Sequence, residues 1–174
     1  IDFASVVVPG SDRLGYMPGV GRIVLKLLAE KSSGRVLGAQ AVGASVAKRI
    51  DTLAAAISLG ATLEDLSGLD LAYAPPFNTP NIATAANVLQ NKIDGQLRSI
   101  NPVDFEKKRT QEDYLFVDVR TPAEVAAKRI ADIPSRVNLP LDTLRTADIS
   151  KMDKEQKIVT ACQIDLRGYE AEVI

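Results

Sequence analysis

The chain has 174 residues, 46% hydrophobic and 25% charged, the balance of an ordinary globular protein of one or two domains. Its formal net charge of −1 gives no electrostatic case for nucleic acid or for an acidic membrane surface. Histidine is absent, which excludes serine–histidine and cysteine–histidine catalysis and every histidine metal site, and a single cysteine excludes an internal disulfide.

Several further classes fall away. No apolar run approaches membrane-spanning length and no signal peptide is visible, so no membrane partner and a cytoplasmic location are expected. There is no Gly-x-Gly-x-x-Gly and no phosphate loop, so no dinucleotide site of the strand–turn–helix kind is expected. The chain opens at Ile1 and stops at Ile174 inside an apparent amphipathic helix, and it reads as a piece of something larger.

Taken in order, Ser5-Val6-Val7-Val8 reads as a strand closed by Pro9-Gly10. Residues 22–28 and 36–42 read as two more, joined through Lys31-Ser32-Ser33-Gly34, a connection of hairpin length. Ile23, Leu25 and Leu27 share one face of the first, while Val24 and Leu28 flank Lys26 on the other. Val46, Ile50, Leu53, Ala54 and Ile57 fall at helical spacing, with Gly60 as a stop, and residues 62–66 read as a short helical turn. A last helix has Thr79 as N-cap, Pro80 at its first position and Gly95 just past its end. Its stripe of Ile82, Ala85, Ala86, Leu89 and Ile93 suits close approach of a core neighbour or of another subunit. Between the helices, the consecutive prolines of Leu71-Ala72-Tyr73-Ala74-Pro75-Pro76-Phe77 force a stiff, extended path. Antiparallel strands plus helices make this half an α+β layer.

Residues 96–109 turn polar and read as a linker, with Asn101 and Pro102 able to cap one or two helical turns over 102–108 and its charged residues solvated. Residues 114–119 read as a buried strand. Thr121-Pro122-Ala123-Glu124 then forms a capping box that opens a helix to about Ile130. Residues 136–141 form a short extended segment, 141–144 and 149–152 connecting turns, and Lys157-Ile158-Val159-Thr160 a buried strand. Strand and helix alternate, so this half is α/β with a parallel sheet.

The lone cysteine, Cys162, follows that last strand, and a helix can run on from Gly168. Loop N–H groups and a helix N-terminus at such a place lower a thiol pKa and stabilise a thiolate or persulfide. The alternative is a small buried residue, because free cysteine is among the most buried types.

Four ordered motifs in the first half carry a resemblance: Gly15-Tyr16-Met17-Pro18-Gly19, residues 34–43 from Gly34-Arg35-Val36 to Val42-Gly43, Lys48-Arg49-Ile50-Asp51, and Leu71-Ala72-Tyr73-Ala74-Pro75-Pro76-Phe77. Together they resemble the dimerisation domain of the flavin-dependent pyridine nucleotide–disulfide oxidoreductases, in the coenzyme A-disulfide reductase and NADH oxidase branch. The resemblance implies a homodimer through residues 1–95. It also implies that Tyr16 and Tyr73 act near the redox centre of the opposite subunit, where a phenol can donate to a leaving thiolate or a coenzyme A group. Asn78-Thr79-Pro80-Asn81 is shorter than the family's usual segment there.

The second half, in the order Asp118-Val119-Arg120, Thr121-Pro122-x-Glu124, Ile133-Pro134, residues 137–141 and residues 162–167, resembles a rhodanese (sulfurtransferase) domain. Cys162 matches the nucleophile that carries sulfane sulfur, and Gln163, Ile164, Asp165, Leu166 and Arg167 complete a loop of the family's length. Asp165 replaces a small residue, and at roughly 7 Å its carboxylate would cost a thiolate about 2 kcal/mol at an effective dielectric near 20, which Arg167 can offset. Residues 127–132 also replace a Gly-His, and the family's last helix and strand are missing. Asp118 reads as structural; Arg120 and Arg167 read either as holders of an anionic donor or as surface arginines with weak ion pairs.

The sequence therefore predicts an α+β dimerisation domain over 1–95, a linker over 96–109 and an α/β rhodanese-like domain over 110–174, incomplete at its C-terminus. The pairing resembles the coenzyme A-disulfide reductase–rhodanese fusions, also described as NADH-dependent persulfide or polysulfide reductases. That resemblance implies FAD, NAD(P)H and coenzyme A as cofactors of a parent enzyme, with none bound to this chain, and upstream FAD and NAD domains plus a sulfane-sulfur donor as partners. Cys162, Arg167, Tyr73 and Tyr16 are its implied catalytic residues. Two other readings stay open: a non-catalytic interaction or regulatory module disabled by Asp165, and a stand-alone thiosulfate sulfurtransferase.

Overall fold

In the computed structural model the described residues are 1–72, 81–128, 130, 133–150, 152–153, 155–164 and 166–174. The chain divides into two compact units, Ile1–Arg98 and Ser99–Ile174.

The first unit is a three-stranded antiparallel sheet in the order β1-β2-β3, with β1 at Phe3–Ser11, β2 at Arg22–Glu30 and β3 at Val36–Gly43. Period-2 alternation in β2 sends Ile23, Leu25, Leu27 and Ala29 to one face, where all four are buried. Helix α1 (Ala47–Ser58) contributes Leu53 to that core, α2 (Leu63–Ser67) contributes Leu63 and Leu66, and α3 (Asn81–Ile93) lays Ile82, Ala85, Ala86 and Leu89 against it. The alanine stripe of α3 is core. Gly60 and Gly95, both at a φ of +75°, end α1 and α3 as expected. The expected cap Thr79 and the adjacent Pro80 lie outside the described residues.

Two expectations change here. Pro9 and Gly10 do not close β1: the strand continues to Ser11, with Pro9 opposite Val24 and Gly10 opposite Ile23. Among the described residues β1 pairs only with β2, so it is an edge strand, where a sheet tolerates proline. On α1, Ala54 faces solvent, whereas Arg49, one turn before Leu53, is buried. Polar partners described below take up its charge.

The second unit is a three-stranded parallel sheet in the order β5-β4-β6, with β4 (Tyr114–Asp118) central, β5 (Arg136–Asn138) on one side and β6 (Lys157–Ala161) on the other. The expected α/β alternation is present. The central position buries Phe116, Val117 and Asp118, whereas edge strand β6 leaves Ile158 half exposed, so β6 is less buried than its apolar run suggested. Within the stretch read as a linker, α4 (Pro102–Lys108) forms with Asn101 as its cap. Its Phe105 is buried and its ring meets Tyr114 edge-on at 5.7 Å, so α4 packs as part of this unit. Helix α5 (Pro122–Ala127) carries the expected capping box but stops three residues short of Ile130. The cause is a side chain from before the helix: Arg120 donates to the Lys128 carbonyl at 2.8 Å, and Lys128 takes an extended conformation. The one-turn α6 (Leu141–Leu144) and α7 (Leu166–Val173) complete the unit.

Candidate functional site

Cys162 stands directly after β6, four residues before α7. It is only 6% exposed and packs with Val117 and Val119 of the small core. Gln163, Ile164 and Leu166 of the following loop are exposed; Asp165 lies outside the described residues. The loop is tied at its far end, where the Thr160 hydroxyl donates to the Gly168 carbonyl at 2.8 Å. A Cβ on Gly168 would sit 3.4 Å from the Thr160 oxygen, so the small residue lets α7 lie close against β6.

Arg167 is neither a loose surface arginine nor an unpaired one. It donates from its two terminal nitrogens to the two Glu124 carboxylate oxygens, at 2.8 and 2.7 Å. Glu124 also closes the capping box of α5, its Oε2 accepting from the Thr121 N–H and hydroxyl, both at 3.0 Å. The Arg167 bonds first, then the Thr121 N–H, bring the Glu124 pKa down to about 2. Arg167 is raised in turn, chiefly by Glu124 against an opposing cost of burial. The sequence signalled Glu124 as a capping residue and as part of the rhodanese-like motif, but without a partner. Its second task, holding the loop arginine, depends on a contact 43 residues away and leaves no local pattern.

Arg120 departs from its expected role. It is 3% exposed, with Nε and one terminal nitrogen on the two Asp118 oxygens at 2.9 and 2.8 Å and the other on the Lys128 carbonyl. Every guanidinium nitrogen is engaged inside the fold, so Arg120 is neither a donor-holding group nor a surface cation. Burial pushes the Asp118 carboxyl up, but the Arg120 side-chain and backbone bonds outweigh that and its pKa is lowered overall. Asn138, which the sequence did not single out, donates to the Asp118 and Arg120 carbonyls, both at 2.8 Å, and joins the start of this loop to β5.

In the first unit Tyr16 is 79% exposed on a braced loop. Asp12 and Gly21 close its root, through Asp12 N–H to the Gly21 carbonyl at 2.9 Å and Gly21 N–H to the Asp12 carboxylate at 2.7 Å. Arg13 pairs with that carboxylate and also donates to the Pro18 carbonyl at 3.2 Å. The Arg13 bonds first, then the Gly21 N–H, lower the Asp12 pKa. Buried Arg49 donates to the Asp12 carbonyl at 3.3 Å and to the Asn81 side chain at 3.2 Å. Tyr73 lies outside the described residues, so the two tyrosines are not brought together by anything described. Among the described residues no cluster of three acidic or thiol side chains could hold a metal, and no helix is long and apolar enough to cross a membrane.

Comparison with known proteins divides along the same line. Residues 1–84 match the pyridine nucleotide-disulphide oxidoreductase dimerisation domain. Over 76 residues, 44% of this chain and 17% of its relative, the chain is 42% identical to the NAD(P)H sulfur oxidoreductase (CoA-dependent) of Pyrococcus furiosus. Over 80 residues, 45% of this chain and 18% of the relative, it is 40% identical to the coenzyme A disulfide reductase of Staphylococcus epidermidis. Two solved structures are similar over nearly the whole chain. One is the NAD-dependent persulfide reductase of A. fulgidus, with a TM-score of 0.85 and 37% identity over 98% of this chain and 30% of that one. The other is the reduced CoADR-RHD of Bacillus anthracis, with a TM-score of 0.87 and 30% identity over 99% of this chain and 30% of that one. The chain thus spans less than a fifth of the curated relatives and 30% of these solved chains. Residues 1–84 are thus similar to the dimerisation domain of the pyridine nucleotide-disulphide oxidoreductases.

Proposed function

We propose that this chain is the C-terminal part of an FAD-dependent, NAD(P)H-using oxidoreductase that reduces coenzyme A disulfide, persulfide or polysulfide. Residues 1–95 form its homodimer and residues 110–174 a rhodanese-like domain in which Cys162 carries sulfane sulfur. The observation that carries the reading is the similarity, over 98% of the chain, to a protein named a persulfide reductase. The strand–cysteine–helix order around Cys162, with Arg167 in the first turn of α7, supports the sulfur-carrier half of it.

FAD, NAD(P)H and coenzyme A serve the parent enzyme in this reading. Tyr16 and Tyr73 donate hydrogen bonds near the opposite subunit's redox centre, and the enzyme works in the cytoplasm. The loading step belongs to this chain. The Cys162 thiolate attacks the sulfane sulfur of a donor such as thiosulfate, the donor S–S bond breaks, and its electron pair leaves with sulfite. The thiol proton passes to solvent, and the product is an anionic persulfide on Cys162. In this reading Arg167 donates to that anion.

The test is cyanolysis of thiosulfate-treated chain. One thiocyanate per chain, lost in Cys162→Ser, is expected. A folded chain that yields none would sink the sulfur-carrier reading and leave the non-catalytic interaction module, which the burial of Cys162 in the core favours. The oxidoreductase half is tested on the full-length enzyme, whose absorbance spectrum is expected to show bound flavin.

A further inference from the structure

We infer that Arg49 is a positioning residue for Tyr16, acting by pinning the root of the Tyr16 loop to helices α1 and α3. The inference rests on the reading in which Tyr16 serves the redox centre of the opposite subunit, and it adds to that reading a buried residue from outside the loop.

Arg49 is 4% exposed, in the first turn of α1, and its three guanidinium nitrogens bond three different segments. One terminal nitrogen donates at 2.8 Å to the carbonyl of Ser45, in the connection from β3 to α1. The other donates at 3.3 Å to the carbonyl of Asp12, the residue that opens the loop after β1. Nε donates at 3.2 Å to the side-chain oxygen of Asn81, the first residue of α3. Two close approaches fix these acceptors in turn. A Cβ on Gly10 would come within 2.3 Å of the Asn81 amide nitrogen, so Asn81 lies hard against β1. A Cβ on Gly21 would come within 2.4 Å of the Ala44 Cβ, so the β3–α1 connection lies hard against the far end of the loop. Ser45, next to Ala44, is held at a φ of +54°, a region that residues other than glycine rarely enter.

Tyr16 needs such an anchor because its own loop does not hold the phenol. The side chain is 79% exposed, four residues after Asp12 and five before Gly21, the pair that closes the loop. Among the described residues, the bonds inside the loop belong to its neighbours: Arg13 to the Pro18 carbonyl and the Met17 N–H to the Leu14 carbonyl. Tyr16 is therefore aimed by the backbone, and the backbone by its root. Four residues reach at most about 14 Å, so a tilt of about 5° at the root carries the phenol about 1 Å. A displacement of that size can cost a positioned hydrogen-bonding group about a hundredfold in rate. A guanidinium suits this task better than an apolar side chain of the same size. Buried, it stays charged and is costly unless its donors are met, so it holds Ser45, Asp12 and Asn81 in the arrangement that meets them.

The deciding variant is Arg49→Lys, read in the full-length enzyme. Lysine keeps the charge and most of the apolar stem, but one ammonium cannot span three acceptors that a planar fork reaches. Two quantities are measured: amide hydrogen exchange over residues 12–21 and over 23–29, and NADH-driven turnover per bound flavin with coenzyme A disulfide and with polysulfide. Arg49→Lys is expected to speed exchange over 12–21 about tenfold, while 23–29, in the buried strand β2, keeps its protection. Turnover is expected to fall about tenfold, short of the full hundredfold because lysine retains part of the contact. In a Tyr16→Phe background the same substitution is expected to change turnover by less than about twofold, because no phenol is left to position.

Equal gains in exchange over 12–21 and 23–29 would make Arg49 merely structural and overturn the inference. So would unchanged exchange over 12–21, or a loss of turnover as large in the Tyr16→Phe background as outside it. Gly21→Ala reaches the same root without touching Arg49, through the clash with Ala44, and is expected to loosen the loop and slow turnover alike. A loosened loop with full turnover in that variant would show that the root does not govern Tyr16, and the inference would fall. If Tyr16→Phe alone turns over like the unsubstituted enzyme, the redox-centre reading of Tyr16 fails, while the exchange measurement still decides whether Arg49 holds the loop.

Discussion

Asp118 and Arg120 hold each other at the end of the central strand, where the Asp118 carboxylate also accepts from the Arg120 N–H. Asp118 is fully buried at the end of the central strand, and an uncompensated carboxylate in that position costs several kcal/mol. Arg120 meets that cost with a fork on both oxygens, so its charge is consumed by the fold and cannot serve a donor anion. Nothing local to residues 118–120 distinguishes these uses; the Lys128 carbonyl that completes the fork comes from the far end of α5. Arg120→Met leaves Asp118 buried without its partner and is expected to destabilise the second unit by about 3–5 kcal/mol in urea unfolding. Arg120→Lys is expected to recover little, because one ammonium cannot span both carboxylate oxygens and the carbonyl together. A variant that unfolds like the unsubstituted chain would return Arg120 to the role of a substrate-holding group.

Element boundaries were legible where the code is local and blurred where a distant residue sets them. The capping box of α5, the Asn101 cap of α4 and the glycine stops of α1 and α3 are short-range chemistry, and all four occur. The length of α5 and the run of β1 through Pro9-Gly10 depend on tertiary partners: Arg120 in one case, edge position in the other. Strand β3 offers a test of which glycines the element requires. Gly38 pairs with Leu28, and a Cβ there would meet nothing within 4 Å. Gly43 pairs with Ile23, has a φ of +126°, and a Cβ there would come within 2.0 Å of the Arg22 carbonyl oxygen, which is backbone and cannot swing aside. Gly38→Ala is expected to change stability by less than about 1 kcal/mol, on the stabilising side, since it removes unfolded-state freedom. Gly43→Ala is expected to cost more than about 2 kcal/mol, combining strain with overpacking. Equal thermal midpoints for the two variants would show that β3 does not hold the geometry described.

At the scale of the whole chain, the two units keep their stability in different forms, and acid should tell them apart. The first has a broad apolar core from three strands and three helices, in which buried Asp12 and the α2 cap Asp65 are the carboxyls held low. The second has a small core, and Glu112, Asp118, Glu124 and Asp148 are all held low, Glu124 down to about 2. A carboxyl whose pKa falls on folding binds fewer protons in the native state than in the unfolded one. Its contribution is therefore complete above the ordinary carboxyl value and is lost as pH drops through the native one. For Glu124 the window runs from about 4.5 down to about 2, and below it the Arg167 clamp is gone because a neutral acid no longer pairs with the guanidinium. Among the described residues, four such groups on a small core against two on a larger one make the second unit the more acid-labile. Residue-resolved amide hydrogen exchange between pH 4.5 and 2 is expected to show β4 and β6 losing protection while β2 keeps it. Loss of β2 protection first, or of all three together, would mean that core size and carboxyl count do not set the order. Glu124→Gln should narrow the gap between the units, since a group that does not titrate has no stability to lose across that window.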